Sequence, residues 1–142
     1  MTKFRCAAVL VSALLAGLGG CGGAKEMPAA KTYPVKGTVM IGTRPLPGGR
    51  LTLYILDTTK YGPAEATADV QPDGTFSPTA IGGSEGLMPG KWKVVVSATG
   101  YKEGKAYRIK ESIPSKYTKE DTTDLVIEVK EGDNNPMVTI RQ

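Results

Sequence analysis

From Tyr33 to Ile140 the chain alternates apolar and polar residues with a period of two, and no other feature limits its folding as much. Val35, Gly37, Val39 and Ile41 share one face, with Lys36 and Thr38 opposite. Leu51, Leu53 and Ile55 repeat this against Thr52 and Tyr54, and Ala66, Ala68 and Val70 against Thr67, Asp69 and Gln71. Trp92, Val94, Val96 and Ala98 alternate with Lys91, Lys93 and Ser97. Leu125, Ile127 and Val129, then Val138 and Ile140, close the series. Period two over short runs describes half-buried strands with one wet face. No run sustains the 3.6-residue period of an amphipathic helix.

The punctuation between these runs agrees. Arg44-Pro45-Leu46-Pro47-Gly48-Gly49 separates the first strand from the second. Gln71-Pro72-Asp73-Gly74 is a turn, because Pro presets φ at its second position and Gly accepts φ above zero. It predicts a hairpin joining Ala66–Gln71 to Thr75–Pro78. Met88-Pro89-Gly90 precedes the Trp92 strand. About seven short strands predict an all-β, antiparallel sandwich. Residues 100–123 are polar and irregular, and predict an excursion from the sandwich with a short strand near Tyr107–Lys110.

Composition narrows the chemistry. The 142 residues suit one domain. There is no histidine, which removes the usual general base, the commonest zinc ligand and the middle member of a Ser-His-Asp triad. The formal net charge is +4, and the positive residues are spread along the chain, which argues against a nucleic-acid footprint.

The N-terminus is of a different kind. Lys3 and Arg5 form a short basic region, and Cys6 to Leu18 is an apolar run suited to the core of a signal peptide. That run is shorter than the ~20 residues a spanning helix needs. Leu18-Gly19-Gly20-Cys21 follows and resembles the bacterial lipobox. The resemblance implies an N-terminal signal helix over residues 1–20, cleavage between Gly20 and Cys21, and a diacylglyceryl group on the Cys21 thiol. Cleavage also removes Cys6, so the mature chain has no intrachain disulfide, and its net charge falls to +2 as Lys3 and Arg5 leave. Residues 21–32, with Gly22, Gly23, Pro28 and several alanines, suit a flexible tether. Residues 33–142 form the predicted sandwich.

Several segments of that sandwich together resemble carboxypeptidase regulatory-like domains. Val35-Lys36-Gly37-Thr38-Val39, then Pro45-Leu46-Pro47-Gly48-Gly49 and Leu51-Thr52-Leu53-Tyr54, look like the opening of such a domain. Pro72-Asp73-Gly74-Thr75-Phe76 is similar to its D-G-x-F hairpin. Pro89-Gly90-Lys91-Trp92-Lys93-Val94 is similar to its P-G-x-Y-x-V strand, with Trp92 where Tyr is usual. Ile113-Pro114-Ser115-Lys116-Tyr117, followed by Leu125-Val126-Ile127-Glu128-Val129, is similar to small lipoproteins of planctomycete-type bacteria that carry this domain. The resemblance implies a transthyretin-like, seven-stranded Greek-key sandwich and no catalysis. One catalytic relative of that fold, a 5-hydroxyisourate hydrolase, depends on histidines and a C-terminal Tyr-Arg-Gly-Ser. This chain has no histidine and ends Thr139-Ile140-Arg141-Gln142.

The candidate site residues divide by chemistry. Tyr101, Tyr107 and Tyr117 form a candidate ligand surface for peptide or glycan, although Tyr117 equally suits a pin holding the long loop to the sandwich. Trp92 shares phase with Val94 and Val96 and is expected in the core. Asp69, Asp73 and Asp57 invite a calcium reading, but no EF-hand spacing is present, and wet-face and turn roles account for them. Glu120, Asp121 and Asp124, and Asp133-Asn134-Asn135, suit solvated loops. A Ser115–Lys116 dyad needs a desolvated, neutral lysine, which a polar loop does not provide. No metal and no cofactor is expected. The expected function is that of a non-enzymatic lipoprotein presenting its β-sandwich for cell-envelope binding, adhesion or scaffolding, on the exported side of the inner or outer membrane. Its expected partners are the membrane, through lipidated Cys21, and an envelope protein or glycan. The alternatives are a small envelope hydrolase using carboxylates, and a lipid-tethered accessory of a transport or secretion complex.

Overall fold

A computed structural model describes residues 30–142. The signal segment 1–20, the cleavage and lipidation positions Gly20 and Cys21, and the tether as far as residue 29 lie outside the described residues. Those described are mostly β-structure: β1 (Gly37–Ile41), β2 (Arg44–Pro45), β3 (Arg50–Ile55), a one-turn helix α1 (Thr58–Tyr61), β4 (Glu65–Asp69), β5 (Thr75–Phe76), β6 (Thr79–Ala80), β7 (Gly90–Ser97), β8 (Thr99–Lys102), β9 (Lys105–Arg108), a 3-10 turn (Ser115–Thr118), β10 (Val126–Val129) and β11 (Met137–Ile140). The all-β expectation holds.

The strands form a five-stranded sheet in the order β10-β7-β3-β4-β6, a four-stranded sheet in which β11, β2 and β5 all pair with β1, and a separate β8-β9 hairpin. The alternating residues of the sequence point inward from both large sheets into one core. Val39, Leu51, Leu53, Trp92, Val94, Val96 and Ile140 are wholly buried. The predicted phase therefore holds on β1, β3, β4, β7, β10 and β11. Trp92 is in the core, and its indole N–H donates to the Met88 carbonyl at 2.9 Å, which satisfies the one polar atom it brings inside.

Three expectations change. β1 and β11 run parallel, with Thr38 opposite Met137 and Ile41 opposite Ile140, so the sheet is not antiparallel throughout. A parallel pair needs a long connection, and nearly the whole domain lies between these two strands.

The expected hairpin after β4 is a corner instead. The turn itself forms, with the Gly74 N–H donating to the Gln71 carbonyl at 2.8 Å and Gly74 at φ +82°. Beyond it, β5 pairs with β1 of the other sheet, Phe76 opposite Gly37. The chain then returns at β6 to pair with β4. Burial of Phe76 in the core accounts for the crossing, since an apolar ring of that size contributes about 2–3 kcal/mol when removed from water.

The excursion, finally, contains more order than expected. Glu103 (φ 50°) and Gly104 (φ 75°) make the two-residue turn of the β8-β9 hairpin, where both central residues need positive φ. The α1 turn is capped by Asp57, whose carboxylate accepts from the Thr59 N–H at 3.0 Å. A four-residue helix is too short to leave a periodic signal in the sequence.

Candidate functional site

The residues that alternate with the core point outward from the five-stranded sheet, and the strand register decides which of them meet. One row across the sheet is Ser97, Arg50 and Asp69, and the next is Val95, Thr52, Thr67 and Thr79. A third row is Val126, Lys93, Tyr54 and Glu65. Directly opposed side chains on one sheet face lie about 4.5–5.5 Å apart at Cβ. This wet face therefore carries a middle row of three threonines beside Val95, an ionic group at each end, and the Tyr54 ring next to Lys93.

At the first end Arg50 grips Asp69 with both arms of its fork: Nε donates to Oδ1 at 3.0 Å and Nη2 to Oδ2 at 3.1 Å. The hydrogen bond to Asp69 is the main reason that the guanidinium pKa is raised. The Tyr101 ring lies over the guanidinium, its centroid 4.5 Å from Cζ, within the range of a cation–π contact. Beside this group a groove of about 420 Å³ runs along the edge of β4, lined by Arg50, Thr67, Asp69, Gln71, Thr75 and Thr79 among others.

At the second end is a larger cleft of about 720 Å³, within the usual size range of ligand pockets. Its floor is apolar, from Ala64, Ala80, Met88 and the wall of Trp92, and its rim carries Tyr54, Glu65 and Glu120. Burial first, and then the Glu65 and Glu120 charges, push the Tyr54 phenol up from its ordinary value. The Lys93 ammonium donates to the Glu120 backbone carbonyl at 3.1 Å.

The three tyrosines taken as a ligand surface do not form one. Tyr101 is 47% exposed and stacks on Arg50. Tyr107 faces inward across the hairpin, and its hydroxyl accepts from the Gly49 N–H at 3.2 Å. Tyr117 is only 5% exposed and belongs to the core, so it pins the 3-10 turn to the sandwich and presents no ring to a ligand. An isolated Tyr on a polar loop carries no periodicity that separates a pin from a platform.

The acidic residues weighed for calcium have other duties. Asp69 pairs with Arg50, Asp57 caps α1, and Asp73 accepts from the Thr75 N–H at 3.0 Å and from its hydroxyl at 2.6 Å. Among the described residues, no three His, Cys, Asp or Glu side chains converge as a metal-holding group. Lys116 donates to Asp124, and that bond raises its pKa, opposite to the neutral amine a Ser115–Lys116 dyad needs. Asn134 ties its loop together, accepting from the Lys130 N–H at 2.8 Å and donating to the Lys130 and Gly132 carbonyls at 2.8 and 2.9 Å.

Arg50, Tyr54 and Glu65 are site residues that the sequence alone does not single out, and Glu120 there reads only as a solvated loop charge. Tyr54 and Glu65 were within reach of a register argument, because β3 and β4 are adjacent antiparallel strands. Glu120 arrives from the distant loop, and nothing local in the sequence predicts its meeting with Tyr54. No protein-family model, curated protein or solved structure matches this chain.

Proposed function

We propose that the chain is a bacterial lipoprotein that holds a non-catalytic, ligand-binding β-sandwich at the exported side of an envelope membrane. The observation that carries this reading is Leu18-Gly19-Gly20-Cys21 at the end of a thirteen-residue apolar run, Cys6 to Leu18, with Lys3 and Arg5 before it. A diacylglyceryl cysteine places two or more acyl chains in the bilayer, which is what stable anchoring needs. The described domain then follows within a dozen residues of Cys21, close enough to work near the membrane surface.

The sandwich is, on this reading, of the carboxypeptidase regulatory-like, transthyretin-like type. Support comes from counting β5 and β6 as one strand split between the sheets. β1, β3, β4, β5/β6, β7, β10 and β11 are then seven, with β2 a two-residue antiparallel return beside β1 and β8-β9 an insertion. The wet face of the five-stranded sheet is the binding surface, for an envelope protein or glycan.

The test is membrane partition and acylation. Expressed in a bacterium that processes lipoproteins, the wild-type chain should take up labelled palmitate and pellet with membranes. Cys21→Ser should lose the label and pass to the soluble exported fraction. Membrane retention of Cys21→Ser equal to wild type would falsify the anchor.

A further inference from the structure

We propose that the cleft at the second end of the wet face binds a protonated primary amine carried on a short aliphatic chain. The inference rests on reading the domain as a binding module and is independent of the lipid. Three features of the cleft converge on that ligand. Its floor of alanine, methionine and tryptophan wall accepts methylene groups and offers them no hydrogen bond. Its rim brings two carboxylates, Glu65 and Glu120, to the same phenol, Tyr54: Glu65 is the direct cross-strand neighbour of Tyr54, and both charges act on its hydroxyl. Among the described residues neither carboxylate forms an ion pair.

The nearby cation does not cancel this field. Lys93 faces Tyr54 across β3 and β7, but its ammonium is bound to the backbone carbonyl of Glu120. Glu65 and Glu120 are the charged side chains that line the cleft, and a single ammonium complements them. Tyr54, which lines the cleft, supplies an aromatic ring for a cation–π contact with that ammonium. An anion meets repulsion at this rim, and a neutral alkyl chain gains only the floor. The amine has two sources of the same chemistry, a free diamine or the side chain of a lysine on a partner.

Trp92 is the only tryptophan of the chain and is buried directly behind the cleft it lines, so its fluorescence serves as the reporter of occupancy. The full-length chain in detergent is titrated with 1,5-diaminopentane, with Nα-acetyl-lysine methylamide, and with 1-pentanol. Saturable change with either amine, at a midpoint below about 10 mM and weakened by salt, supports the proposal, and the tighter of the two identifies the source. Glu65→Gln with Glu120→Gln should weaken the amine about tenfold or more. Tyr54→Leu should weaken it about two- to fivefold, with unchanged circular dichroism in both variants. No saturation by either amine, saturation by 1-pentanol at the same midpoint, or an unaltered midpoint in the double Gln variant each overturns it. Partition of Cys21→Ser is read separately, so either proposal can fail without the other.

Discussion

The Phe76 ring occupies the space that a side chain at position 37 would need: a Cβ on Gly37 would collide with Phe76 Cζ and lie 2.8 Å from the Pro136 carbonyl oxygen. These two residues face each other across β1 and β5. The contact is where the chain, having left the five-stranded sheet at Gly74, is fastened to the other one. Gly37→Ala puts a methyl group against both an aromatic ring and fixed backbone, and overpacking of that kind costs about 1–3 kcal/mol. Phe76→Ala leaves a cavity instead and should cost about 3–5 kcal/mol. Urea unfolding of the two variants and the wild type measures both. A Gly37→Ala chain as stable as wild type means that Phe76 has room to withdraw, and that the fastening is weaker than the geometry implies.

The β8-β9 hairpin is held to the sandwich at a similar close approach. Tyr107 reaches over Gly100, its direct cross-strand partner, to accept the Gly49 N–H. A Cβ at Gly100 would come within 2.7 Å of the Tyr107 hydroxyl and 2.8 Å of the Gly49 carbonyl. Tyr107→Phe removes one half-buried hydrogen bond and should lower stability by about 0.5–1.5 kcal/mol. Gly100→Ala should lift the hairpin away. Amide hydrogen exchange is the discriminating measurement: the Gly49 N–H should exchange faster in both variants, while the core of β7 keeps its protection.

Asp73 makes a prediction about pH. Its carboxylate is held by the Thr75 hydroxyl first and the Thr75 N–H second, and these bonds lower its pKa. Both favour the charged form in the folded chain. The stability they supply is therefore complete above the unfolded aspartate value of about 3.9, and is lost as pH falls through the lower, folded value. In a carboxyl-detected NMR titration Asp73 should have its midpoint below that of an ordinary aspartate. Thr75→Val removes the hydroxyl and keeps the backbone bond, so the midpoint should rise part of the way back. Asp57 is held in the same manner by Thr59 and serves as an internal comparison that Thr75→Val leaves unmoved.

How much of this is legible in the sequence depends on the range of the interaction. The buried face of each strand follows from the sidedness of neighbouring residues, so Val39, Leu53, Val94 and Ile140 are identifiable from the chain alone. Turn chemistry is also local, and the Gln71–Gly74 turn is where its residues put it. What the turn leads to is not local. Phe76 could have been buried by either sheet, and its partner, Gly37, lies far away in the chain. The same limit applies to the site. Arg50 with Asp69, and Tyr54 with Glu65, are consequences of the β3-β4 register, while Tyr101 and Glu120 come from segments whose polar sequences carry no period. Tyr117 shows the cost of having no period most plainly, since only its three-dimensional surroundings distinguish a buried pin from an exposed ring.

Thr123, a buried polar residue, gives that loop a second fastening, and it can be tested without disturbing shape. Its hydroxyl donates to the Val94 carbonyl at 2.8 Å and accepts from the Leu125 N–H at 3.3 Å. It thereby joins the end of the long excursion to the interior strand β7, just before β10 takes up its own pairing there. Thr123→Val keeps the volume but leaves the Leu125 N–H and one lone pair of Val94 without this partner. Loss of such a pair inside a protein costs about 1–3 kcal/mol, whereas Thr123→Ser keeps the hydroxyl and should cost less. If the Val variant is as stable as the Ser variant in urea, the hydroxyl is not what secures the loop, and the burial of Tyr117 alone must do so. The expected result is the reverse order, with faster exchange at the Leu125 amide only in Thr123→Val.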